Sequence, residues 1–438
     1  MIELNETHDP ALRSWVTSAN LPGCDFPIQN LPFGVFSLGN EDKPRIGVAI
    51  GDRIFDIAAA RFRNLFQGLA LEAAMACEQD ALNDLMNLGR EHAGALRLAL
   101  SRLLRTEAGD ASVAAECLVP MADATMHLPA RIANYTDFYT SIHHATNAGK
   151  MVRPENPLLS NFRSLPVAYH GRASTISVSG TPCIRPHGQS LPSGATEAVY
   201  GPTRKLDYEL EVGIFIGRGN ALGRPIPIGQ AEQHVFGLCL FNDWSARDVQ
   251  RWESQPLGPF LGKSFLSSVS PWVVTMDALA PFRSAAADRG VDAPMLLPNL
   301  DCPANRVSGA VDIALEARIQ TARMREEGIA AHPVSHPNFV DQYWTIAQMV
   351  AHHTENGCRL MPGDLLGSGT VSGRRADQLG CLLELTRDAS RPLELPGGEQ
   401  RTYLEDGDDI IFRAHCRRDG FVAIGFGECV GRVVPALT

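Results

Sequence analysis

The chain has 438 residues, which is long enough for two domains and a large buried core. Apolar residues make up 45% of it and charged residues 20%, a composition typical of globular proteins and unlike that of disordered chains. The net charge is −10 and no run rich in Lys or Arg occurs, so the composition argues against a nucleic-acid partner.

The first part of the chain has the pattern of a small β unit followed by helices. Residues 33–56 alternate between apolar and polar side chains and carry turn residues, which predicts short strands. Residues 81–106 carry apolar side chains at helical spacing, and Gly89 interrupts that pattern. We therefore predict a small β unit with helices before residue 128.

From residue 128 the pattern changes to short strands separated by Gly and Pro turns. Such strands outnumber helices and rarely alternate with them, which favours a mainly β, sandwich- or roll-like main domain over a doubly wound sheet. An Asp-Gly pair predicts a hairpin turn between the last two strands. The predicted strands span 235–241, 271–276, 311–319, 365–371, 381–387, 410–416 and 421–426.

The same region contains one strong helix pattern and two segments without periodicity. Residues 345–357 predict a helix, because Thr345 and Gln348 form a capping box at its start. Gly357 is placed to end that helix. Segments 173–204 and 281–309 are rich in Gly, Pro, Ala and Ser, and we expect long loops there.

Residues 205–217 read KLDYELEVGIFIG, with an apolar residue at every second position. Period two predicts a strand with one apolar face. Asp207, Glu209 and Glu211 occupy the other face, although like charges repel and acidic residues are poor strand formers. That face is either a solvated surface or a site that holds positive charge, and the strand alone leaves both interpretations open.

Residues 241–265 read FNDWSARDVQRWESQPLGPFLGKSF. We predict that a buried strand ends at Asn242 and that a helix follows, with Lys263 in a later turn. Helical spacing would place an acid, a cation, an amide and a hydroxyl on one face, namely Asp243, Arg247, Gln250 and Ser254. Such a surface beside a strand end suits a functional site, and an ordinary Asp–Arg helix pair is the alternative.

Two pairs of adjacent histidines occur in the chain. Side chains one residue apart point in different directions, so we expect at most one of His143 and His144 to take part in chemistry. His352 and His353 lie on the predicted capped helix, and we interpret them as ordinary core or surface residues.

The ten cysteines never form a CxxC pair, which fits neither a zinc ribbon nor a disulfide framework. The N-terminal residues MIELNETHDPALRSW lack the basic region and apolar run of a signal peptide. The sequence contains no apolar stretch of about 18 residues, so we expect no membrane span. We therefore expect a cytoplasmic protein with reduced thiols and no membrane partner.

Seven sequence blocks stand in order along the chain: DFPIQNLPFGVFS (25–37), ATMHLPARIANYTDFY (124–139), LPVAYHGRAS (165–174), LDYELEV (206–212), NDWSARD (242–248), PLGPFLGKSF (256–265) and PGDLLGSGTVSG (362–373). Together they resemble the fumarylacetoacetate hydrolase family. The resemblance runs from about residue 25 to the C-terminus. Seven blocks in the same order are far more specific than any single motif.

The resemblance implies a homodimer with a mainly β fold and some α structure. Each chain would contain a small SH3-like N-terminal domain and a C-terminal domain built as a mixed β-sandwich roll. We accordingly predict an N-terminal extension over 1–24, an SH3-like domain with helices over 25–127 and a catalytic β-roll over 128–438.

The resemblance also implies a metal centre of Ca²⁺ and Mg²⁺. Its ligands would be the carboxylates of Asp137, Glu209, Glu211 and Asp243, with Lys263 and Ser267 beside them. Carboxylate oxygens suit these hard cations, and four converging carboxylates need a cation to offset their repulsion. The family pattern leaves Asp207 outside the ligand set.

The implied reaction is metal-dependent hydrolysis of the carbon–carbon bond of 4-fumarylacetoacetate, a dianionic β-diketone, to fumarate and acetoacetate. It is the last step of tyrosine and phenylalanine catabolism. The resemblance makes His144 the base and Glu384 its partner, the latter within a predicted strand. The implied oxyanion donors are Arg247, Gln250 and Lys263. The implied substrate contacts are Tyr139, Arg153, Tyr169, Arg247, Gln250 and Thr370.

One position departs from the family pattern, and two other functions remain open at this point. Family members usually carry Tyr where this chain has Ser254, so the position of the bound substrate is in question. A related acylpyruvate or other β-diketone hydrolase would keep the fold and metal but change the substrate. A non-catalytic, metal-stabilised dimer would keep the fold without the activity.

Overall fold

The computed structural model describes residues 3–39 and 43–438. Residues 1–2 of the predicted extension and residues 40–42 of the predicted β unit lie outside the described residues. Each of the ten cysteines is a free thiol, and most are buried. Among the described residues, no helix is both long and apolar enough to cross a membrane.

An antiparallel five-stranded sheet in the order β4-β3-β2-β1-β5 forms the first part of the chain. Its strands are β1 (Phe33–Leu38), β2 (Arg45–Ile50), β3 (Arg53–Asp56), β4 (Leu118–Pro120) and β5 (Ala124–His127). Its helices are α1 (Ile57–Phe62), α2 (Gly68–Ala76), α3 (Asn83–Leu88), α4 (Arg90–Leu104) and α5 (Ala111–Ala115). The predicted β unit is confirmed, and Gly89 separates α3 from α4 with φ +86°.

The rest of the chain is rich in short strands. In chain order these are β6 (Tyr135–Phe138), β7 (Ala168–His170), β8 (Ile176–Val178), β9 (Cys183–Ile184), β10 (His187–Ser190), β11 (Val199–Pro202), β12 (Leu206–Asp207), β13 (Leu210–Ile216), β14 (Val235–Asp243), β15 (Ser245–Ala246) and β16 (Ser267–Val269). They continue with β17 (Val274–Thr275), β18 (Arg283–Ser284), β19 (Ala310–Val311), β20 (Ala314–Gln320), β21 (His332–Ser335), β22 (Leu365–Gly367), β23 (Leu393–Leu395), β24 (Glu399–Arg401), β25 (Asp409–Cys416) and β26 (Ile424–Val434).

Short helices connect these strands. They are α6 (Ile142–Val152), α7 (Arg247–Glu253), α8 (Leu261–Ser264), α9 (Pro303–Ser308), α10 (Ala322–Glu326), α11 (Ile346–Thr354) and α12 (Leu382–Leu385). The capping box of Thr345 and Gln348 opens α11 as predicted. The helix ends before Gly357, which has φ +85°.

Two sheets pack face to face around the main core. The larger has the order β7-β6-β22-β13-β14-β16-β8, with β17 paired to β14, and the smaller has the order β21-β20-β25-β26-β9. Parallel pairs such as β22–β6 occur among antiparallel ones, so the sandwich is mixed. Between the sheets, Tyr208 packs edge-on against Phe412 at 5.6 Å between ring centroids. The predicted mainly β fold, with a small N-terminal unit and a β-sandwich roll, is confirmed.

The N-terminal sheet packs on the outer face of the larger sheet. Phe33 on β1 forms a β-bridge with Val273, and both belong to a core cluster that includes Phe215 and Phe241. Side chains alternate along a strand, so Glu211 lies on the same face as Phe215, and Asp243 lies on the same face as Phe241.

Several predictions from local pattern are wrong. Segment 173–204 is not a long loop but contains β8 to β11. Residues 381–387 form α12 and a turn rather than a strand, because a short apolar run satisfies either period. Asp243 is the last residue of β14, so it does not share a helix with Arg247, which begins α7.

Other predicted strands are correct in type but not in extent. The strand predicted at 271–276 shortens to β17, and that at 365–371 shortens to β22. The segment 311–319 divides into β19 and β20. The acidic stretch also divides, into β12 and β13, and this break separates Asp207 from the acids that follow it.

Candidate active site

Four buried carboxylates meet at one end of the larger sheet. Asp137 comes from β6, Glu211 from β13 and Asp243 from the last position of β14, while Glu209 immediately precedes β13. One carboxylate oxygen from each lies within 4.8 Å of all the others. All four side chains are at most 5% exposed, so water does not screen their mutual repulsion.

Two glycines, Gly367 at the end of β22 and Gly369 just after it, make room for this cluster. A Cβ atom at Gly367 would lie 2.4 Å from Oδ1 of Asp137 and 3.0 Å from Oε2 of Glu211. The backbone N–H of Gly369 donates to the same two oxygens, at 3.2 and 3.0 Å. A Cβ at Gly369 would clash with the Phe138 carbonyl oxygen, and its φ of +74° favours glycine.

Cationic and hydroxyl groups offset part of the negative charge. Nζ of Lys263 donates to Glu209 at 2.5 Å and to Asp243 at 2.7 Å. The hydroxyls of Tyr169 and Ser267 both donate to Asp243, at 2.7 and 3.0 Å. Oδ2 of Asp243 therefore accepts two hydrogen bonds, while Oδ1 accepts one, from Ser267, and keeps a lone pair for coordination.

The carboxyl pKa values diverge within the cluster. Burial and the charges of neighbouring carboxylates raise the pKa values of Asp137 and Glu211 well above their ordinary range. Burial also acts to raise the pKa of Glu209, but Lys263 and Arg247 outweigh it and lower that pKa. Lys263 also acts to lower the pKa values of Asp137 and Glu211, but burial and the neighbouring carboxylates outweigh it, so the positive charge of the described residues does not balance these two carboxyls.

The donor set fits a metal ion at that place. Oε1 of Glu211 is buried and has no hydrogen-bond partner among the described residues, which leaves an oxygen free for coordination. The ligand atoms on offer are all carboxylate oxygens, which suit a hard cation. Asp137, Glu209, Glu211 and Asp243 are thus the residues that could hold a metal ion, as predicted from the sequence.

A buried His–Glu pair lies near the carboxylate cluster. Nδ1 of His144 and Oε2 of Glu384 are 2.6 Å apart, and both side chains are buried. Ser141 caps α6 by accepting from the backbone N–H of His144, which fixes the first turn that carries the imidazole. Burial acts to raise the pKa of Glu384, but His144 and hydrogen bonds outweigh it and lower that pKa. His143 points elsewhere and is only half-buried.

Three partners of Glu384 were not identified from the sequence. Nδ2 of Asn147 donates to Oε1 at 2.9 Å, while Oγ of Ser372 and Sγ of Cys381 donate to Oε2 at 2.7 and 3.3 Å. Asn147 could have been found, because it lies three residues after His144 on one helix face. His144, Cys381 and Glu384 also form a group with metal-ligand spacing, but Glu384 is satisfied without an ion.

Arg247 is fixed by two carboxylates. Its Nε donates to Asp207 at 2.8 Å and its Nη1 donates to Glu209 at 2.6 Å. Nη2 is buried and has no hydrogen-bond partner among the described residues. Gln250 lies one helical turn further along α7, and its side-chain oxygen is 3.4 Å from Nη1.

These groups surround a cavity of about 790 Å³. Of the residues proposed from the sequence, most line it: Asp137, Tyr139, His144, Arg153, Tyr169, Glu209, Arg247, Gln250, Ser254, Lys263 and Thr370. The others lie directly behind these lining groups: Glu211, Asp243, Ser267 and Glu384. The structure therefore brings all the sequence-predicted site residues together.

The fold and the cavity define a β-roll protein that places a carboxylate cluster and a buried His–Glu pair at one site. A family model for the fumarylacetoacetate (FAA) hydrolase C-terminal region matches residues 133–434. A second model, for the fumarylacetoacetase N-terminal region, matches residues 29–129. The chain belongs to the fumarylacetoacetate hydrolase family.

Relatives from distant organisms match the chain over nearly its whole length. The fumarylacetoacetase of Oryza sativa subsp. japonica is 46% identical over 434 residues, covering 97% of this chain and 98% of that protein. The human fumarylacetoacetase is 46% identical over 419 residues, covering 94% and 97%. The solved structure of a fumarylacetoacetate hydrolase from Exiguobacterium antarcticum covers 92% of this chain and 99% of its own, with a TM-score of 0.51 and 17% identity, and supports the fold alone.

We expect Glu209→Gln and Glu211→Gln to weaken divalent-cation binding at least about tenfold, because each removes a charged ligand from a buried cluster. Asp207→Asn should bind nearly as tightly as the wild type, since Asp207 contacts Arg247 and backbone N–H groups rather than the cluster. Titration calorimetry with Ca²⁺ and with Mg²⁺ measures all three variants. An equal loss in Asp207→Asn would show that the ligand set is misassigned.

Cation binding should release protons. In the cation-free protein the raised pKa values of Asp137 and Glu211 favour their protonated forms, whereas a metal ion requires carboxylates. The affinity should therefore rise with pH from mildly acidic to neutral solution. Calorimetry in buffers of different ionisation enthalpy counts the released protons, and a buffer-independent binding heat would contradict this expectation.

Proposed function

We propose that the protein hydrolyses the carbon–carbon bond of 4-fumarylacetoacetate to give fumarate and acetoacetate, which completes tyrosine and phenylalanine breakdown. The observation that carries the proposal is a buried His–Glu pair and a carboxylate cluster on one cavity. Identity of 46% over nearly the whole chain to fumarylacetoacetases from several kingdoms supports the substrate. It does not favour the acylpyruvate alternative.

His144 is proposed to activate the attacking water. Glu384 engages Nδ1, so Nε2 is the nitrogen that can accept a proton from a water molecule in the cavity. An imidazole has an ordinary pKa near 6.5, which suits proton transfer at neutral pH. The carboxylate fixes the tautomer and stabilises the imidazolium that forms. The deprotonated water then adds to the ketone carbon of the fumaroyl group, which becomes the new carboxyl carbon of fumarate.

The oxyanion formed by this addition needs hydrogen-bond donors that are already in place. Nη2 of Arg247 is buried without a partner, and Gln250 and Lys263 line the same wall. Preorganised donors of this kind typically contribute about 10²–10³ in rate each. When the oxyanion collapses, the carbon–carbon bond breaks, and the electron pair leaves on the acetoacetate carbon, which then gains the proton.

The acidic cluster is proposed to hold Ca²⁺, with Mg²⁺ at a neighbouring position beside Lys263 and Ser267. Asp137, Glu209, Glu211 and Asp243 would be the ligands. When bound to these residues, a divalent cation would supply Lewis-acid stabilisation of the negative charge that develops on the leaving acetoacetate. All-oxygen coordination favours these two ions over zinc or copper.

The remaining cavity residues are proposed to bind the dianionic substrate. Arg153 lies at the exposed mouth, where a guanidinium can clamp a carboxylate with two hydrogen bonds. Tyr139 packs edge-on against His144 at 5.2 Å between ring centroids, so it borders the reacting groups. Oγ1 of Thr370 is buried without a partner among the described residues, and Tyr169 lines the wall next to Asp243.

We also propose a cytoplasmic homodimer with domain boundaries near residues 25 and 128. Ten free cysteines suit a reducing compartment. Apolar side chains stand exposed next to the cavity mouth, where a second copy could cover them: Trp252, Leu257, Phe260 and Leu261. Light scattering on the purified protein measures the oligomeric state.

The direct test is to incubate purified protein with fumarylacetoacetate and measure the fumarate released. Activity should disappear after chelation and return on addition of Ca²⁺ or Mg²⁺. An acylpyruvate measured in parallel provides the matched comparison. Failure to release fumarate from the metal-loaded enzyme would refute the proposed substrate.

We expect His144→Ala to lower kcat by at least about 10²-fold with binding of a substrate analogue nearly unchanged, because a general base contributes about 10²–10⁴. His143→Ala is the matched control, since this neighbour does not line the cavity and should retain activity. Initial rates and analogue titrations measure both. An active His144→Ala enzyme would remove His144 from the mechanism.

Glu384→Gln should impair catalysis severely, because a neutral amide neither stabilises imidazolium nor enforces the tautomer. If His144 and Glu384 act as one unit, the double variant should be little slower than the slower single variant. Steady-state rates of the two singles and the double form the test. Fully additive losses would contradict a single functional unit.

Ser254→Tyr should lower KM for fumarylacetoacetate or leave it unchanged. Ser254 lines the cavity and its hydroxyl donates to the Gln250 carbonyl oxygen, so a ring at this position would extend towards open space and offer a phenol to the substrate. Michaelis–Menten kinetics measure the effect. A large rise in KM would mean that the local backbone cannot accept the ring.

A further inference from the structure

We propose that Asp207 is a positioning residue that links the Arg247 donor to the turn that carries Glu384. A single buried carboxylate would then set the relative position of the oxyanion donor and the base partner. This inference rests on the proposed function, because it gives Asp207 a role in that reaction. It also explains why a third acid in the acidic stretch is buried without joining the carboxylate cluster.

Asp207 accepts four hydrogen bonds and is 0% exposed. Its Oδ1 accepts from the backbone N–H groups of Tyr208 at 2.9 Å and Leu382 at 2.8 Å. Its Oδ2 accepts from the backbone N–H of Leu383 at 3.0 Å and from Nε of Arg247 at 2.8 Å. Two segments far apart in the sequence are therefore joined through one carboxylate.

The first consequence concerns the orientation of Arg247. Asp207 holds Nε and Glu209 holds Nη1, and these two contacts fix the plane of the guanidinium. Nη2, the remaining nitrogen, is buried and has no partner among the described residues, while Arg247 lines the cavity. Without Asp207 the guanidinium would keep its charge but could rotate about its contact with Glu209.

The second consequence concerns the turn that carries Glu384. Helix α12 has four residues, too few to be stable by itself. Its N-cap residue, Cys381, makes no side-chain capping bond. Asp207 instead accepts the first two N–H groups of the helix, from Leu382 and Leu383, which is the role of an N-cap side chain. Glu384 is the next residue after this anchored pair.

Asp207→Asn tests the proposal sharply, because all four groups around the carboxylate are donors. An amide presents hydrogens to two of those donors whichever way it is turned. We expect kcat to fall about 10–100-fold, as is typical when a supporting partner of a site residue is lost. KM and Ca²⁺ affinity should stay within about twofold of the wild type.

Asp408→Asn is the matched control. Asp408 is buried, pairs with Arg401 at 2.9 and 3.0 Å and accepts the backbone N–H of Glu405, but does not line the cavity. The Asp408→Asn variant should lose stability as Asp207→Asn does, but its kcat should stay at the wild-type value. Equal kcat losses in both variants would reduce the role of Asp207 to general stability and overturn the proposal.

A double-variant cycle separates positioning from folding. If Asp207 acts through Arg247, Asp207→Asn should cost much less in an Arg247→Lys background, where no Nε remains to be held. Any fall in kcat that Asp207→Asn still causes in the Arg247→Lys background reports on the turn that carries Glu384. That remaining fall should vanish when Glu384→Gln is also present. Equal losses in all backgrounds would contradict the proposal.

An activity-independent readout keeps this test separate from the proposed function. In ¹H–¹⁵N spectra of ¹⁵N-arginine-labelled protein, the Nε–H signal of Arg247 is assigned as the one that disappears in Arg247→Lys. The Nε hydrogen should exchange slowly with solvent in the wild type and rapidly in Asp207→Asn. An inactive wild type with this signal intact would refute only the substrate. Unchanged slow exchange in Asp207→Asn would refute the positioning role.

If Asp207→Asn does not fold, Asp207→Glu replaces it with the same expectation for kcat, and full activity of that variant would refute the proposal.

Discussion

The repulsion among four buried carboxylates is the constraint on which the rest of the site depends. Two unit charges 4 Å apart repel by about 4 kcal/mol at an effective dielectric constant near 20. Asp137, Glu209, Glu211 and Asp243 converge within 4.8 Å, so several such pairs would act at once if all four were ionised, and this raises the pKa values of Asp137 and Glu211. Lys263 offsets part of this on the side of Glu209 and Asp243. On the other side, the N–H of Gly369 is the donor that the described residues direct at Asp137 and Glu211, and a cation bound there would offset the remaining repulsion.

The same constraint divides the cavity into two electrostatic regions. Within the cluster, Asp137 and Glu211 have raised pKa values, whereas the pKa of Glu384, which pairs with His144 on the same cavity, is lowered. All are buried, so the difference comes from their partners: Glu384 faces His144, Asn147 and Ser372, and not another acid. An ionised Glu384 suits the support of an imidazolium. The fold thus places a metal-type site and an acid–base pair on one cavity, close enough for the charge of His144 to help lower the pKa of Glu209.

The sequence could predict the members of the site better than their geometry. Period two in the acidic stretch indicated a strand, but it left a wet surface and a charged site equally open. The alternation of apolar residues did not indicate the break between β12 and β13. Because of this break, Asp207 contacts Arg247 rather than the carboxylate cluster. The segment around Glu384 satisfied both strand and helix periods, and only its tertiary partners decide for α12. The convergence of the site residues depends on long-range strand order, which local pattern does not predict. The resemblance carried by the seven family blocks did predict it.

That strand order explains why the central position must be glycine. Strand β22 lies between β6 and β13, and Gly367 pairs with Asp137 on one side and Gly213 on the other. Neighbouring strands lie about 4.8 Å apart, so the backbones that carry Asp137 and Glu211 are about twice that distance apart. Their carboxylates can meet only above the intervening strand, where a Cβ at residue 367 would lie 2.4 Å from one and 3.0 Å from the other. Convergence of the ligands therefore depends on a missing side chain as much as on the charged ones.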